Sequence, residues 1–297
     1  MSLNQGYVYR AQVGPADAGT TLLEYHVARF PHSDEATWRA AIEAGQVLLG
    51  GERAPSERIL RAGDELVFHR APWVEEDVPL GFRVVHEDEQ VLVVEKPSGL
   101  QVLPAGRFLQ HTLLRQVQAS RADRSESAPV HRLGRGTSGL ILFGKHAAAR
   151  AYLSRQFVDG SARKTYLALV VGQALPDSCI ARQPIGARKH GPMTIHCVEP
   201  DGRASLTRLR VLRRDAAGQR SLVAAQPITG RPDQIRIHLA ACGAPILGDP
   251  LFGPGGVPFS DARPGEGGYF LHATALRVRH PADGRWLKLR SRPAWLA

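Results

Sequence analysis

The sequence predicts an α+β protein with a mainly antiparallel mixed sheet, preceded by a small α+β unit. Three observations carry this expectation. Strand-like segments outnumber helical ones, several are joined by turns too short for a crossover helix, and two helical patterns sit together near the start.

Taken in order, TLLEYHVARF has helical spacing, and DEATWRAAIEAG is a second helix with Asp34 near its start and Gly45 as its stop. QVLLGGERA turns through Gly50-Gly51, and RILRAGDELVFHR reads as strand, tight Gly63-Asp64 turn, strand. APWVEEDVP, with two prolines and three acids, reads as a linker, so a first unit is expected at residues 1–77 and a main domain at 78–297. There FRVVHEDEQVLVVEKPSG is a hairpin meeting at Glu87-Asp88-Glu89, HTLLRQVQ a helix, and RADRSESAP an exposed loop. SGLILFGK is a strand, and AAARAYLSRQF is an amphipathic helix closed by Asp159-Gly160. KTYLALVVG, SLTRLRVLRR and RSLVAAQPIT are three further strands. Pro232 is expected at the first helical position of DQIRIHLAACG, with Ile235, Leu239 and Cys242 on one face and Gly243 past its end. GDPLFGPGG is a turn-rich loop, and YFLHATALRVRHP closes the domain as a strand.

Charge points toward a polyanionic partner. Lys and Arg number 38 against 28 Asp and Glu, a formal +10, and the only lysines are Lys96, Lys145, Lys164, Lys189 and Lys288. The planar fork of arginine suits phosphates and base edges, so nucleic acid is a candidate partner. An Arg-rich composition alone would also raise this count. The cysteines, Cys179, Cys197 and Cys242, are odd in number and scattered, which supports neither a disulfide framework nor a zinc site. No run of 18 apolar residues exists, and the polar start MSLNQGYVYR is no signal peptide. A cytoplasmic protein away from membranes and without a metal site is therefore expected, and a monomer is the default. GRGTSG lacks the Gly-Lys-Ser/Thr ending of a nucleotide-binding loop, and no acid is placed to orient His131 toward Ser138 as a hydrolase would need.

Two helices followed by GQVLLGGER and LRAGDELVF resemble the small S-four-like RNA-binding module. Beyond them, EKPSGLQVLP, VHRLGRGTSGLILFGK, RKTYLALVVG and TGRPDQIRIHLAACGAPILGDPLFG resemble, in order, the motifs of RluA-type pseudouridine synthases, and LHATALRVRHP resembles that family's last motif. The resemblance spans roughly residues 80 to 285. It implies a protein that binds folded ribosomal or transfer RNA and extrudes one uridine, paying the unstacking cost through pocket contacts. The base is then detached, rotated and rejoined through carbon, steps that the resemblance implies need no cofactor. Tyr166 matches the family's active-site tyrosine, and Lys164, two residues away, shares its strand face. Arg236 matches the arginine that pairs with the catalytic carboxylate. Lys96, Arg132, Arg135, Lys164 and Arg231 are expected as RNA-binding or scaffold groups.

One position departs from the pattern. The family carries its nucleophilic aspartate directly after His-Arg-Leu, and here that residue is Gly134. Glycine has no atom to attack with, and loss of a nucleophile can cost on the order of 10⁶ in rate. It would also leave Arg236 without a partner, at roughly 3–5 kcal/mol if the cation is buried. A second departure is Asp233, where the family usually has histidine; it is expected in the first helical turn, three residues before Arg236. Three readings of Asp233 stay open: an acid favoured at a helix start, a replacement partner for Arg236, or a relocated nucleophile. The protein is then either an RNA isomerase with an altered site or a catalytically silent RNA-binding protein acting in RNA folding or ribosome assembly. His238, two residues after Arg236, is expected to face away and pack.

Overall fold

The computed structural model describes residues 3–30, 33–173, 175–190, 193–215, 217, 219–261 and 268–296. The chain divides into two compact units, Met1–Glu75 with Lys189–Thr194, and Glu76–Arg188 with Ile195–Ala297.

The first unit contains β1 (Tyr7–Gln12), α1 (Leu22–Arg29), α2 (Glu35–Glu43), β2 (Val47–Leu49), β3 (Glu52–Arg53) and β4 (Glu65–Arg70). Thr21 and Glu24 form a reciprocal capping box at the start of α1, and Asp34 caps α2 by accepting from the Thr37 amide. Gly50 and Gly51, at φ 58° and 87°, supply the two left-handed residues of a tight hairpin turn between β2 and β3. The sheet order is β1-β4-β2-β3, all antiparallel. Two expectations are corrected here. RILR is not a strand, since Ile59 makes only an isolated bridge to Thr21, and β4 pairs instead with β1 and β2. β1 escaped the sequence reading because its side chains are nearly all exposed, which erases the alternation that marks a half-buried strand.

The second unit begins with β5 (Arg83–Glu87), β6 (Val91–Lys96), α3 (Leu113–Ser120), β7 (Ala128–Pro129), β8 (Ser138–Gly144), α4 (Ala147–Val158) and β9 (Arg163–Val171). It continues with β10 (Ser178–Ala181), β11 (Ile185–His190) as far as Arg188, β12 (Met193–Val198) from Ile195 onward, β13 (Thr207–Asp215), β14 (Arg220–Pro227), α5 (Gln234–Ala241), β15 (Leu271–Arg279) and β16 (Trp286–Arg290). One sheet runs β10-β13-β14-β9-β15-β8-β6-β5, with β16 on β15 and β7 on β8. Among these pairings only β15 with β8 is parallel, so the fold is the antiparallel-dominated α+β sheet expected.

The apolar runs of β6 and β8 are explained by burial on both faces. Leu92, Val94, Ile141 and Phe143 join one core with α3 and α5, while Val91, Val93, Leu140 and Leu142 join another against α4. Gly139 allows the parallel junction, because a Cβ there would lie 2.4 Å from the Ala273 carbonyl oxygen. That approach brings the chain leading into β8 against the middle of the sheet. β10, β11, β12 and β16 were not foreseen. RADRSESAP is not simply exposed either, since Arg124 is buried and its Nη2 donates to Glu87 at 2.6 Å. Among the described residues no helix is long and apolar enough to cross a membrane.

Candidate active site

A cavity of about 540 Å³ opens in the second unit where β9, the loop before β8 and the loop between β14 and α5 converge. Its walls come from His131, Arg132, Gly134 and Thr137 on the first loop, from Phe157 of α4, and from Lys164 and Tyr166 of β9. Arg231, Asp233 and Arg236 close the opposite side. Alternation along β9 puts Lys164 and Tyr166 on one face, as expected.

Two aromatic surfaces face this space. Tyr166 is paired in register with Ala225 and Ala273, residues small enough to leave its ring room, and is only 9% exposed. Burial alone raises its pKa to about 12, so it is a neutral phenol. His131 stacks on Phe157 with ring centroids 4.6 Å apart, and its Nε2 accepts the Leu142 amide at 3.0 Å. Burial, then the Lys164 charge, lowers the His131 pKa to about 3, so the ring is an uncharged plate. Lys164 has its own pKa lowered by burial and no acidic partner among the described residues.

Arg236 is the centre of the polar wall. Asp249 accepts from its Nε at 2.8 Å and its Nη2 at 2.7 Å, while Asp233 accepts from Nη1 at 2.7 Å. Burial opposes the charge, but the Asp249 hydrogen bonds and the Asp233 charge outweigh it, and the pKa of Arg236 is raised. The guanidinium also lies 4.3 Å from the Tyr269 ring centroid. Tyr269 shares a 3.1 Å hydrogen bond with Thr137, and its hydroxyl is the atom that stands over Gly134.

Gly134, Tyr166, Arg236, Asp233, Arg132, Lys164 and Arg231 all line the cavity. Lys96 does not meet solvent: it is fully buried, and its ammonium donates to the carbonyls of Pro97, Leu100 and Arg135 at 2.8, 2.6 and 3.0 Å. Its three donors are consumed, so it holds the loop carrying Gly134 instead of binding RNA. Arg135 is likewise turned inward, donating to the Gly99 carbonyl at 3.0 Å and lying over the Phe108 ring. Asp233 is not in a helical turn. It is the N-cap of α5, at φ 51° and ψ 15°, and Pro232 precedes the helix. His238 packs as expected, buried between Thr207 and the Gln183 carbonyl.

Sequence reasoning missed Asp249 and Tyr269. Asp249 stood in the quoted GDPLFG stretch, where an Asp-Pro pair reads as a turn; its second use, as partner to a residue thirteen positions earlier, has no local signal. Asp249 also answers the question of an orphaned Arg236, because a bidentate partner is already supplied from outside the cavity.

The crowding over Gly134 gives a prediction. Its φ lies outside the left-handed region, so a side chain is opposed by space alone: a Cβ would stand 2.9 Å from Tyr269 Oη, which must shift to admit it. Gly134→Asp is expected to displace the buried Tyr269 and to lower stability by about 1–3 kcal/mol, as overpacking does. Thermal melting of this variant beside Gly134→Ala checks it, and a melting temperature equal to wild type in both would count against the crowding.

Comparison with known proteins agrees with the motifs. Residues 90–241 match the family model described as RNA pseudouridylate synthase. An uncharacterised RNA pseudouridine synthase of Synechocystis sp. is 40% identical, over 90% of this chain and 92% of the relative. A ribosomal large subunit pseudouridine synthase C of Vibrio parahaemolyticus is 32% identical, over 84% and 81%. The solved structure of human RNA pseudouridylate synthase domain containing 1 superposes with a TM-score of 0.59 at 28% identity, covering 74% of this chain and 86% of that one. Motif order, the sheet that carries the motifs and the match over half the chain converge: this chain belongs to the RNA pseudouridylate synthase family, of the RluA type.

Proposed function

We propose that this protein converts a uridine of a folded RNA, ribosomal or transfer, into pseudouridine after turning that nucleotide out of its stack. The observation that carries the reading is a cavity of about 540 Å³, within the range of small-ligand pockets. It is walled by Tyr166 and the stacked His131–Phe157 pair and bordered by Arg132, Lys164 and Arg231. Flat uncharged rings suit an extruded pyrimidine, whose stacking offsets the cost of leaving the duplex. Arg132 and Lys164 have no acidic partner among the described residues, which leaves both cations available to phosphates flanking the flipped base. Arg231 donates to the Ala204 carbonyl from the same rim.

The N-terminal unit is a second RNA grip in this reading. Its likeness to the S-four-like module and the exposed Arg10, Arg53, Arg58 and Arg61 support that role.

Binding to unmodified ribosomal and transfer RNA transcripts, measured by filter retention across a salt series, tests the proposal. Affinity is expected to fall steeply with salt. Arg132→Glu and Lys164→Glu are each expected to weaken binding and to lower the slope of log affinity against log salt by about 1. Affinity indifferent to salt and to both substitutions would remove RNA as the substrate. RNA binding without any release of tritium from uracil C5 would favour the silent binding protein, the reading that Gly134 by itself supports.

A further inference from the structure

Conversion of a nitrogen-linked base to a carbon-linked one needs a group that captures C1′ while the base turns. The cavity offers few candidates. Tyr166 is a neutral phenol, His131 has its Nε2 occupied by the Leu142 amide, and Lys164 is a cation. Thr137 is bound to Tyr269, and Thr229 donates to the Gln234 side chain at 2.7 Å. Among the described residues that line the cavity there is one carboxylate, Asp233.

Several features of Asp233 are hard to account for as scaffolding. Among the described residues only it and Gln219 combine a side chain with positive φ, a conformation that aspartate tolerates better than most side chains but that still costs Cβ contact with the following carbonyl. An aspartate at an N-cap ordinarily accepts a helix amide through its side chain, yet Asp233 makes no such bond. Its left-handed backbone instead turns the carboxylate toward Arg236 and the cavity. Arg236 does not require it for neutrality, since the 1% exposed Asp249 already pairs with Nε and Nη2. The Asp233 side chain is 31% exposed; Oδ1 takes the Arg236 Nη1 hydrogen bond, and Oδ2 has no partner among the described residues. One oxygen is thus anchored and the other is unengaged at the cavity wall.

Resting on the functional reading above, we propose that Asp233 is the catalytic carboxylate of this site, taking from the α5 N-cap the part that Gly134 cannot play. Oδ2 adds to C1′ of the flipped uridine as the N1–C1′ bond breaks, its electron pair passing to the uracil ring. Carboxylate nucleophiles of this kind are known for glycosyl transfer. The freed uracil anion turns, C5 attacks C1′, and the ester bond breaks with its pair returning to Asp233. The restored carboxylate takes the proton from C5, and N1 gains one, so the product is an isomer and no oxidant or reductant enters. Arg236, held by Asp249, keeps Oδ1 fixed while Oδ2 reacts.

The test uses the full-length chain, its Asp233→Asn and Asp233→Glu variants, and ribosomal and transfer RNA transcripts tritiated at uracil C5. Wild type is expected to release tritium. Asp233→Asn is expected to release it on the order of 10⁴-fold more slowly or worse, with RNA affinity within about twofold of wild type and an unchanged melting temperature. If Asp233→Asn melts early, Asp233→Glu, which keeps the charge and can still reach Arg236, should show the fall in turnover with RNA affinity retained. Turnover within tenfold of wild type in either folded variant overturns the assignment and leaves uridine isomerisation standing. A wild-type protein that binds RNA and releases no tritium overturns the assignment and the isomerase reading together.

Discussion

Asp249→Ala is expected to destabilise the second unit by about 3–5 kcal/mol, the range seen when one partner of a buried ion pair is removed. The reason is the number of bonds converging on one carboxylate. Asp249 accepts two hydrogen bonds from Arg236 and two more from the amides of Leu251 and Phe252, at 2.9 and 3.2 Å. Removal leaves Nε and Nη2 of a buried guanidinium unpaired and frees the turn that covers it. For a unit of this size each kcal/mol corresponds to roughly 2–4 °C of melting temperature. Asp233→Asn, by contrast, leaves the Asp249 pair intact. Thermal unfolding of the two variants side by side checks this, and a melting temperature for Asp249→Ala within a degree of wild type would show that Arg236 does not depend on it.

Lys96→Met is expected to be the second large loss, about 3 kcal/mol or more, because buried carbonyls deprived of donors each cost roughly 1–3 kcal/mol. Methionine preserves the length and apolar stem of the side chain and deletes only the ammonium. The Pro97, Leu100 and Arg135 carbonyls then lose a donor, although the Arg135 carbonyl keeps the Gly99 amide at 2.9 Å. Burial, then the neighbouring Arg135 charge, lowers the Lys96 pKa to about 7, because the position disfavours a cation. The corrected role makes a further distinction. Lys96→Met should lower the melting temperature and leave the salt slope of RNA binding unchanged, whereas Arg132→Glu should do the reverse. A reduced salt slope in Lys96→Met would restore it to the RNA-facing set.

The helices were legible because their signals are local. Thr21 with Glu24, Asp34 before Thr37, and Gly45 at φ 72° act within a turn of the residues they cap. The central strands were legible for a related reason: β6 and β8 are apolar throughout because both faces are buried, which makes a dense run in the sequence. β1, β10 and β16 lack that density and went unseen.

The linear sequence by itself determined the family motifs, their order, the absence of a carboxylate at position 134 and the membership of Tyr166, Arg236 and Asp233 in one small set. It could not say which side chains spend their charge inside the protein. Only the tertiary structure turned Lys96 and Arg135 inward, brought Asp249 to Arg236 and set Tyr269 over Gly134. The physical reason is range. Capping and periodicity act over three or four residues, whereas a buried charge is partnered by whichever oxygen the sheet carries to it, 13 positions away for Asp249 and 39 for the Arg135 carbonyl.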